Sequence, residues 1–327
     1  MAGYLAQLGV KDESTYGTPV TVDRFFEFNA ESLKLDMGRV ESKGHRTGGL
    51  VMRSDRTVPY RKGAGGDVAL DVLSKGFGFW LKHMLGSVAT AGPTDSAYTH
   101  TGTIGYIAGD SFTAQVGRAK IDNTVQPFTY HGCKVASWKL ACNVDGLLVA
   151  SLSIDAEDED TSTSLATASY PASMEPLSFV GGTIEFDAGA VDVFSAEVAC
   201  NNNLWMERRF QRASGTLKKE PIDQGDRQVT WSCDAEFDST THYDKFRSAT
   251  MAGMYAAVTM QWTALGLIGA TSVPTVLVTL PKARFDAAEG INVAGTGRIR
   301  VKYSGPAHFD GTNSAVTVAY TTADATP

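Results

Sequence analysis

The chain has 327 residues, 43% of them hydrophobic and 20% charged, which supplies enough apolar material for a sizeable core and excludes a coiled coil or a solvated tail. Its 33 glycines, with abundant threonine, valine, serine and alanine, lean towards β-structure. The net charge of −7, from 29 bases and 36 acids, disfavours a surface built to grip nucleic-acid phosphates.

The first residues, MAGYLAQLGVKDEST, carry neither a basic n-region nor an apolar run with a cleavage site, so no secretion signal is read. From Met37 to Gly63 the charge turns basic. Arg39, Lys43, Arg46, Arg53, Arg56, Arg61 and Lys62 face only Glu41 and Asp55, and this segment, 37–63, is read as a long basic arm. After Gly65-Gly66, Val68, Leu70 and Val72 alternate with Asp67, Ala69 and Asp71, which predicts a two-faced strand. Phe77, Trp80, Leu81 and Met84 then recur at helical spacing. Further on, Trp138, Leu140 and Cys142 alternate up to Asp145-Gly146, and Leu148, Ala150, Leu152 and Ile154 alternate beyond it, the pattern of a β-hairpin. The acidic run Asp155–Asp160 and the Ser/Thr/Ala stretch 161–173 predict a solvated rim and a seam near residue 170.

The same order then recurs, which predicts a duplication. A second basic arm, 206–222, contains Arg208, Arg209, Arg212, Lys218 and Lys219. Val229, Trp231 and Cys233 alternate with Thr230, Ser232 and Asp234, followed by Glu236, and Tyr243, Phe246 and Thr250 follow the helix-start signal Asp238-Ser239. A second Asp-Gly turn, Asp310-Gly311, predicts a second hairpin between the strands around Val301 and Val318. The expected architecture is therefore mainly β: two tandem antiparallel β-sandwich or barrel units, 1–170 and 171–327, each flanked by a short α-helix. The two arms hold +5 and +3, which leaves −15 on the rest of the chain.

The sequence offers no chemistry. The uncharged stretch between Arg247 and Lys282 alternates apolar and polar residues and is interrupted by Pro274 and Pro281, so it is read as two buried strands, not a membrane span. Cys133, Cys142, Cys200 and Cys233 match no zinc or redox spacing and are read as free core thiols. The histidines form no metal-binding pair on a helix face, and Asp155–Asp160 lacks the ligand spacing of a calcium loop. Gly63–Gly66 precedes a strand and lacks the ending of a phosphate-binding loop, and no nucleophile elbow occurs. No catalytic, cofactor-binding or metal-binding residue is assigned, and no enzyme activity or membrane partner is expected.

The strings LAQLGVKDESTYGTPV, ESLKLDMGRVESKG, RSDRTVPYRKGAGGDVALDVLSKGFGFWLKHMLG and FTYHGCKV, with LVTLPKARFD and VTVAYTTAD near the end, resemble the tail tube (major tail) proteins of long, non-contractile tailed bacteriophages. The match is good over residues 4–160 and follows element order thereafter. The resemblance implies a structural virion protein of two packed sheets flanked by a helix. Such proteins form rings with six tube folds per layer, which stack into a hollow tail tube assembled in the host cytoplasm. It further implies that the long early loop reaches the neighbouring ring and that an acidic lumen lets DNA slide past.

On that basis Arg39, Arg53, Arg56, Arg61, Lys62, Arg208, Arg209 and Arg212 are the candidate contacts between rings. Asp67, Asp71, Asp234 and Glu236 are the candidate lumen residues. A chain holding two tube folds would close the ring with three copies. The implied partners are further copies of the chain, tape measure protein and DNA in the lumen, and tail tip and terminator proteins at the tube ends. Two other readings are a hub or tail terminator of the same fold, and a carbohydrate-binding β-sandwich. The latter needs exposed aromatic platforms, whereas Trp138 and Trp231 occupy inward positions of their strands.

Overall fold

The computed structural model describes residues 2–49, 51–211, 215–293 and 296–327. Strands dominate it. Those used below are β1 (Gln7–Glu13), β2 (Lys34–Glu41), β3 (Thr57–Asp71), β4 (Gly86–Thr94), β5 (Ala97–Ile104), β6 (Ser111–Ala119), β7 (Val125–Asn143) and β8 (Val149–Ala156). The second half adds β9 (Gly182–Phe186), β10 (Val193–Asn201), β11 (Gln228–Glu236), β12 (Tyr255–Thr263), β13 (Thr275–Arg284), β14 (Arg300–Ala307) and β15 (Thr317–Thr322). Among the described residues two α-helices interrupt them, α1 (Gly78–Leu85) and α2 (Tyr243–Phe246).

The strands form two antiparallel layers, and each layer contains strands from both halves of the chain. One layer runs β2-β3-β8-β7-β10-β11-β14, with the short strand Ala287–Glu289 at its far edge. The other runs β4-β5-β15-β13-β12-β9. β7 is long enough to serve two neighbourhoods, since its first part pairs with β6, which in turn pairs with β1.

Alternation decides which side chains lie between the layers. Val68, Leu70, Trp138, Leu140, Leu152, Val198, Trp231 and Cys233 point inward and are buried, while their neighbours along each strand point outward. All four cysteines are buried free thiols. The uncharged stretch after Arg247 forms β12 and β13, as its alternation predicts, and among the described residues no helix is long and apolar enough to cross a membrane.

α1 packs almost wholly inside. Phe77, Trp80, Leu81 and Met84 are buried, Trp80 meets Phe26 and Phe112, and the indole Nε1–H of Trp138 donates to the Met84 carbonyl at 2.9 Å. The helix stops at Gly86, whose left-handed φ of 90° and N–H to the Lys82 carbonyl suit glycine. α2 is a single turn with no buried residue. It starts after His242 without a side-chain cap, and Thr250 lies outside it.

The two Asp-Gly turns differ. Asp145-Gly146 closes a hairpin, with Val149 opposite Ala141 and Leu152 opposite Trp138. Asp310-Gly311 does not, and the predicted second hairpin is corrected here. β14 pairs with β11 in the first layer, whereas β15 inserts between β13 and β5 in the second. The Asp310 carboxylate instead caps the turn through the N–H groups of Thr312 and Asn313. An Asp-Gly pair reverses the chain locally, but the partner a strand takes depends on which edge is free.

Candidate assembly interface

The basic arm 37–63 is a two-stranded ribbon. β2 and β3 stay paired from Lys34 opposite Gly65 out to Glu41 opposite Thr57, but β8 accompanies β3 only as far as Ala64. Beyond that point the ribbon leaves the sandwich. It exposes Val40, Val51, Met52, Val58 and Tyr60 together with Arg39, Arg53 and Arg56. An isolated two-stranded ribbon is marginal in water, and the apolar side chains on it stay exposed among the described residues. Arg53 and Arg56 share Asp55, at 2.9 and 3.8 Å, and Arg61 pairs with Asp36 at 2.8 Å. Among the described residues, Arg39, Lys43 and Arg46 enter no ion pair.

The second basic arm behaves differently. It lies along the root of the ribbon, with the Lys62 N–H donating to the Thr216 carbonyl at 3.1 Å. The Arg209 guanidinium donates to the carbonyls of Thr216 and Lys62, at 2.6 and 3.1 Å, and Arg208 donates to the Glu220 carbonyl at 2.6 Å. Both arginines are thus engaged inside the chain, and Arg212 lies outside the described residues.

The bases of this region converge on the acidic run. Lys218, buried, grips both carboxylate oxygens of Asp155 at 2.5 and 2.6 Å, and Lys62 donates to Asp158 at 2.6 Å. Burial pushes the Asp155 carboxyl up, against the pull of the Lys218 ammonium. Lys134, 0% exposed, bonds Glu220 at 2.6 Å and the Ile107 carbonyl at 2.7 Å, and its burial lowers its pKa. The expectation of a freely solvated rim at Asp155–Asp160 is corrected accordingly. β8 runs through Asp155 and a short strand through Asp158–Asp160, and their acids are partly covered by bases from the two arms.

The outward face of the first layer forms the other candidate surface. Register sets its side chains in rows: Asp67, Ser153, Ser137, Asn201, Gln228 across five strands, and Ala69, Ser151, Lys139, Ala199, Thr230 beside them. A third row holds Asp71, Val149, Ala141, Glu197, Ser232 and Ser304. The face is hollowed, with a shallow concavity of about 400 Å³ over Asp67, Ser137, Lys139, Ser153, Asn201 and Thr230.

All four predicted lumen acids lie on this layer's outward side, but they are not equivalent. Asp234 and Glu236 are met by Arg300 and Arg298, at 3.8 and 2.7 Å, while Asp67 and Asp71 enter no ion pair among the described residues. Asp71 accepts only the Asn29 side-chain N–H, at 2.8 Å, among its side-chain partners. Sequence reasoning saw the acids of β11 and missed that β14 and the residues before it bring arginines alongside. It also missed Glu197, paired with Lys139 at 3.3 Å.

Among the described residues, no group of three or more His, Cys, Asp or Glu side chains is placed to hold a metal ion. What the described residues offer is a projecting ribbon, an outward sheet face rich in small polar side chains with a shallow hollow over it, and open strand edges.

The family model of phage tail tube proteins matches residues 3–325. The chain belongs to the phage tail tube protein family. Comparison with curated proteins gave no match. For a member of this family, a mainly β chain with a large antiparallel sheet is a structural tail component, and self-assembly into a tube is its role.

Proposed function

We propose that this tail tube protein closes into a ring of three copies, and that these rings stack into the tube through which the genome passes to the host. The supporting observation is the eight-strand first layer. Within it the pattern of arm strand, next strand and returning strand occurs twice, as β2-β3-β8 and β10-β11-β14, with a helix following β3 and β11. Residues 1–170 and 171–327 are read as the two repeats. β2 and the strand Ala287–Glu289 leave open edges on either side, which neighbours would pair in a head-to-tail ring.

Three copies give 24 strands. At about 4.8 Å per strand the circumference is about 115 Å, or about 37 Å across for strands along the axis and wider with tilt. The concave, small-polar face would line this channel. Asp67 and Asp71 would supply unpaired negative charge against phosphate, and Ser137, Ser151, Ser153 and Thr230 a small polar surface in which the base Lys139 is paired with Glu197. Arg39, Arg53, Arg56 and Arg61 would reach the next ring, while Arg208, Arg209 and Lys62 brace the ribbon's root.

Negative-stain microscopy and native mass measurement of the purified chain test this reading. Stacked rings of three 34.9 kDa chains are expected. Rings of six chains would overturn the duplicated-fold stoichiometry. A few copies per virion by densitometry would point to a hub or terminator instead.

A further inference from the structure

We infer that the ribbon is received by a defined surface at the opposite end of another copy of this chain: the Asp145 turn with the flanking segments 175–180 and 265–267. The inference rests on the tube reading and specifies its contact. A head-to-tail stack repeats one translation, so a feature projecting from one end can meet only what the other end presents. Here β8 fixes the geometry. Its Ala156 lies opposite Ala64 at the ribbon's root, and its Val149 follows the Asp145 turn, about 25 Å away along the strand.

At that far end several loops meet. The Phe179 N–H donates to the Gly146 carbonyl at 3.1 Å, Leu147 bridges to Ser178, and the Val144 N–H donates to the Phe194 carbonyl at 2.8 Å. The Gly266 N–H donates to the Glu175 carboxylate at 2.8 Å. These bonds gather exposed Val144, Leu147, Val180, Leu265 and Leu267, of which Val180 and Leu265 are 83% and 85% exposed. They also gather three exposed acids, Asp145, Glu175 and Asp192. The bases beside them are engaged within the chain: Lys75 donates to the Ala172 carbonyl, Arg300, stacked over the Phe194 ring, pairs with Asp234, and Arg298 pairs with Glu236.

The ribbon carries the complement. It exposes Val40, Val51, Met52, Val58 and Tyr60 among seven bases and two acids. Apolar residues unmatched within the chain, rimmed by opposite charge at the two ends, fit one another and not a polyanion, which the acids of the receiving end would repel. The occupant is therefore a second copy.

The test uses the full-length chain, with ring formation read by native mass and stacking by sedimentation and negative stain. Asp145→Lys with Asp192→Lys, or Val180→Asp alone, should leave folded rings but reduce sedimenting polymer about tenfold or more. Arg53→Glu with Arg56→Glu should do the same. Combining the two charge reversals in one chain should restore stacking. Receiving-end variants that stack like wild type, or a combined variant that stays unstacked, would overturn this surface while tubes of the wild-type chain keep the tube reading standing. A wild-type chain that forms rings but never stacks would remove both.

Discussion

Lys134 shows how single charged residues hold this fold together. Its ammonium is fully buried between Glu220 and the Ile107 carbonyl, so removing the carboxylate leaves a cation without its counter-charge. Glu220→Ala is expected to cost about 2–3 kcal/mol in urea unfolding, whereas Lys134→Met, which leaves only a partly exposed carboxylate, should cost about 1 kcal/mol or less. Equal losses for the two would show that the pair does not act as described. Asp95 gives a pH-dependent contact. Its carboxylate accepts N–H groups from Ala270, Thr271 and Ser272, which hold its pKa well below the ordinary carboxylate range. A carboxylate with a depressed folded pKa stabilises above its unfolded value and loses that contribution as pH falls from there towards the folded value. Exchange protection of these three amides, corrected for intrinsic rates, should stay level from about pH 7 to about pH 5 and decline below about pH 4. Asp95→Asn should flatten that dependence, and an unchanged decline in the variant would assign it to another group.

At the scale of elements, the contrast lies between α1 and the ribbon. α1 buries seven of its eight residues and ends at a glycine cap, so its integrity belongs to the core. Among the described residues the ribbon has no third strand beyond Ala64 and no core contact along its exposed part. Replacing residues 42–56 by a short turn should therefore leave the subunit's melting temperature within about 2 °C of wild type while abolishing sedimenting polymer. A large loss of stability would mean that the ribbon packs back onto its own subunit. The second arm predicts the opposite, since Lys218 and Arg209 tie it to Asp155 and Lys62.

At the scale of the whole molecule, the halves are interlocked. β10 pairs with β7 over seven residues, and β15 pairs with β5 over six, so each layer is continuous across the seam near residue 170. Residues 1–170 expressed alone would expose the long edges of β5 and β7, and edges of that length recruit other strands. That fragment should aggregate or remain unfolded, and adding residues 171–327 in trans should rescue it. A monomeric, cooperatively folding first half would show that the repeats are independent.

Much of this was legible in the residues themselves. Period-two alternation put Val68, Leu70, Trp138 and Trp231 inside, and helical spacing placed Trp80, Leu81 and Met84 on α1 with Phe77 just before its first turn, because these signals are local and the core enforces them. The run of seven bases marked the exposed ribbon for the same reason: no core residue interrupts it. Strand partners were not legible. Asp310-Gly311 reads like Asp145-Gly146, yet only the latter closes a hairpin, since pairing depends on which edge is free in three dimensions. The fate of charges was equally hidden. Lys218 and Arg53 are both bases in a basic arm, but one is buried on Asp155 and the other is exposed. The sequence by itself determined which side chains of each strand face the core, the charge of the arms and the absence of a recognisable catalytic motif. The tertiary structure decided which strands share a sheet, which acids stay unpaired and which arm is free to reach a neighbour, because each depends on contacts between residues far apart in the chain.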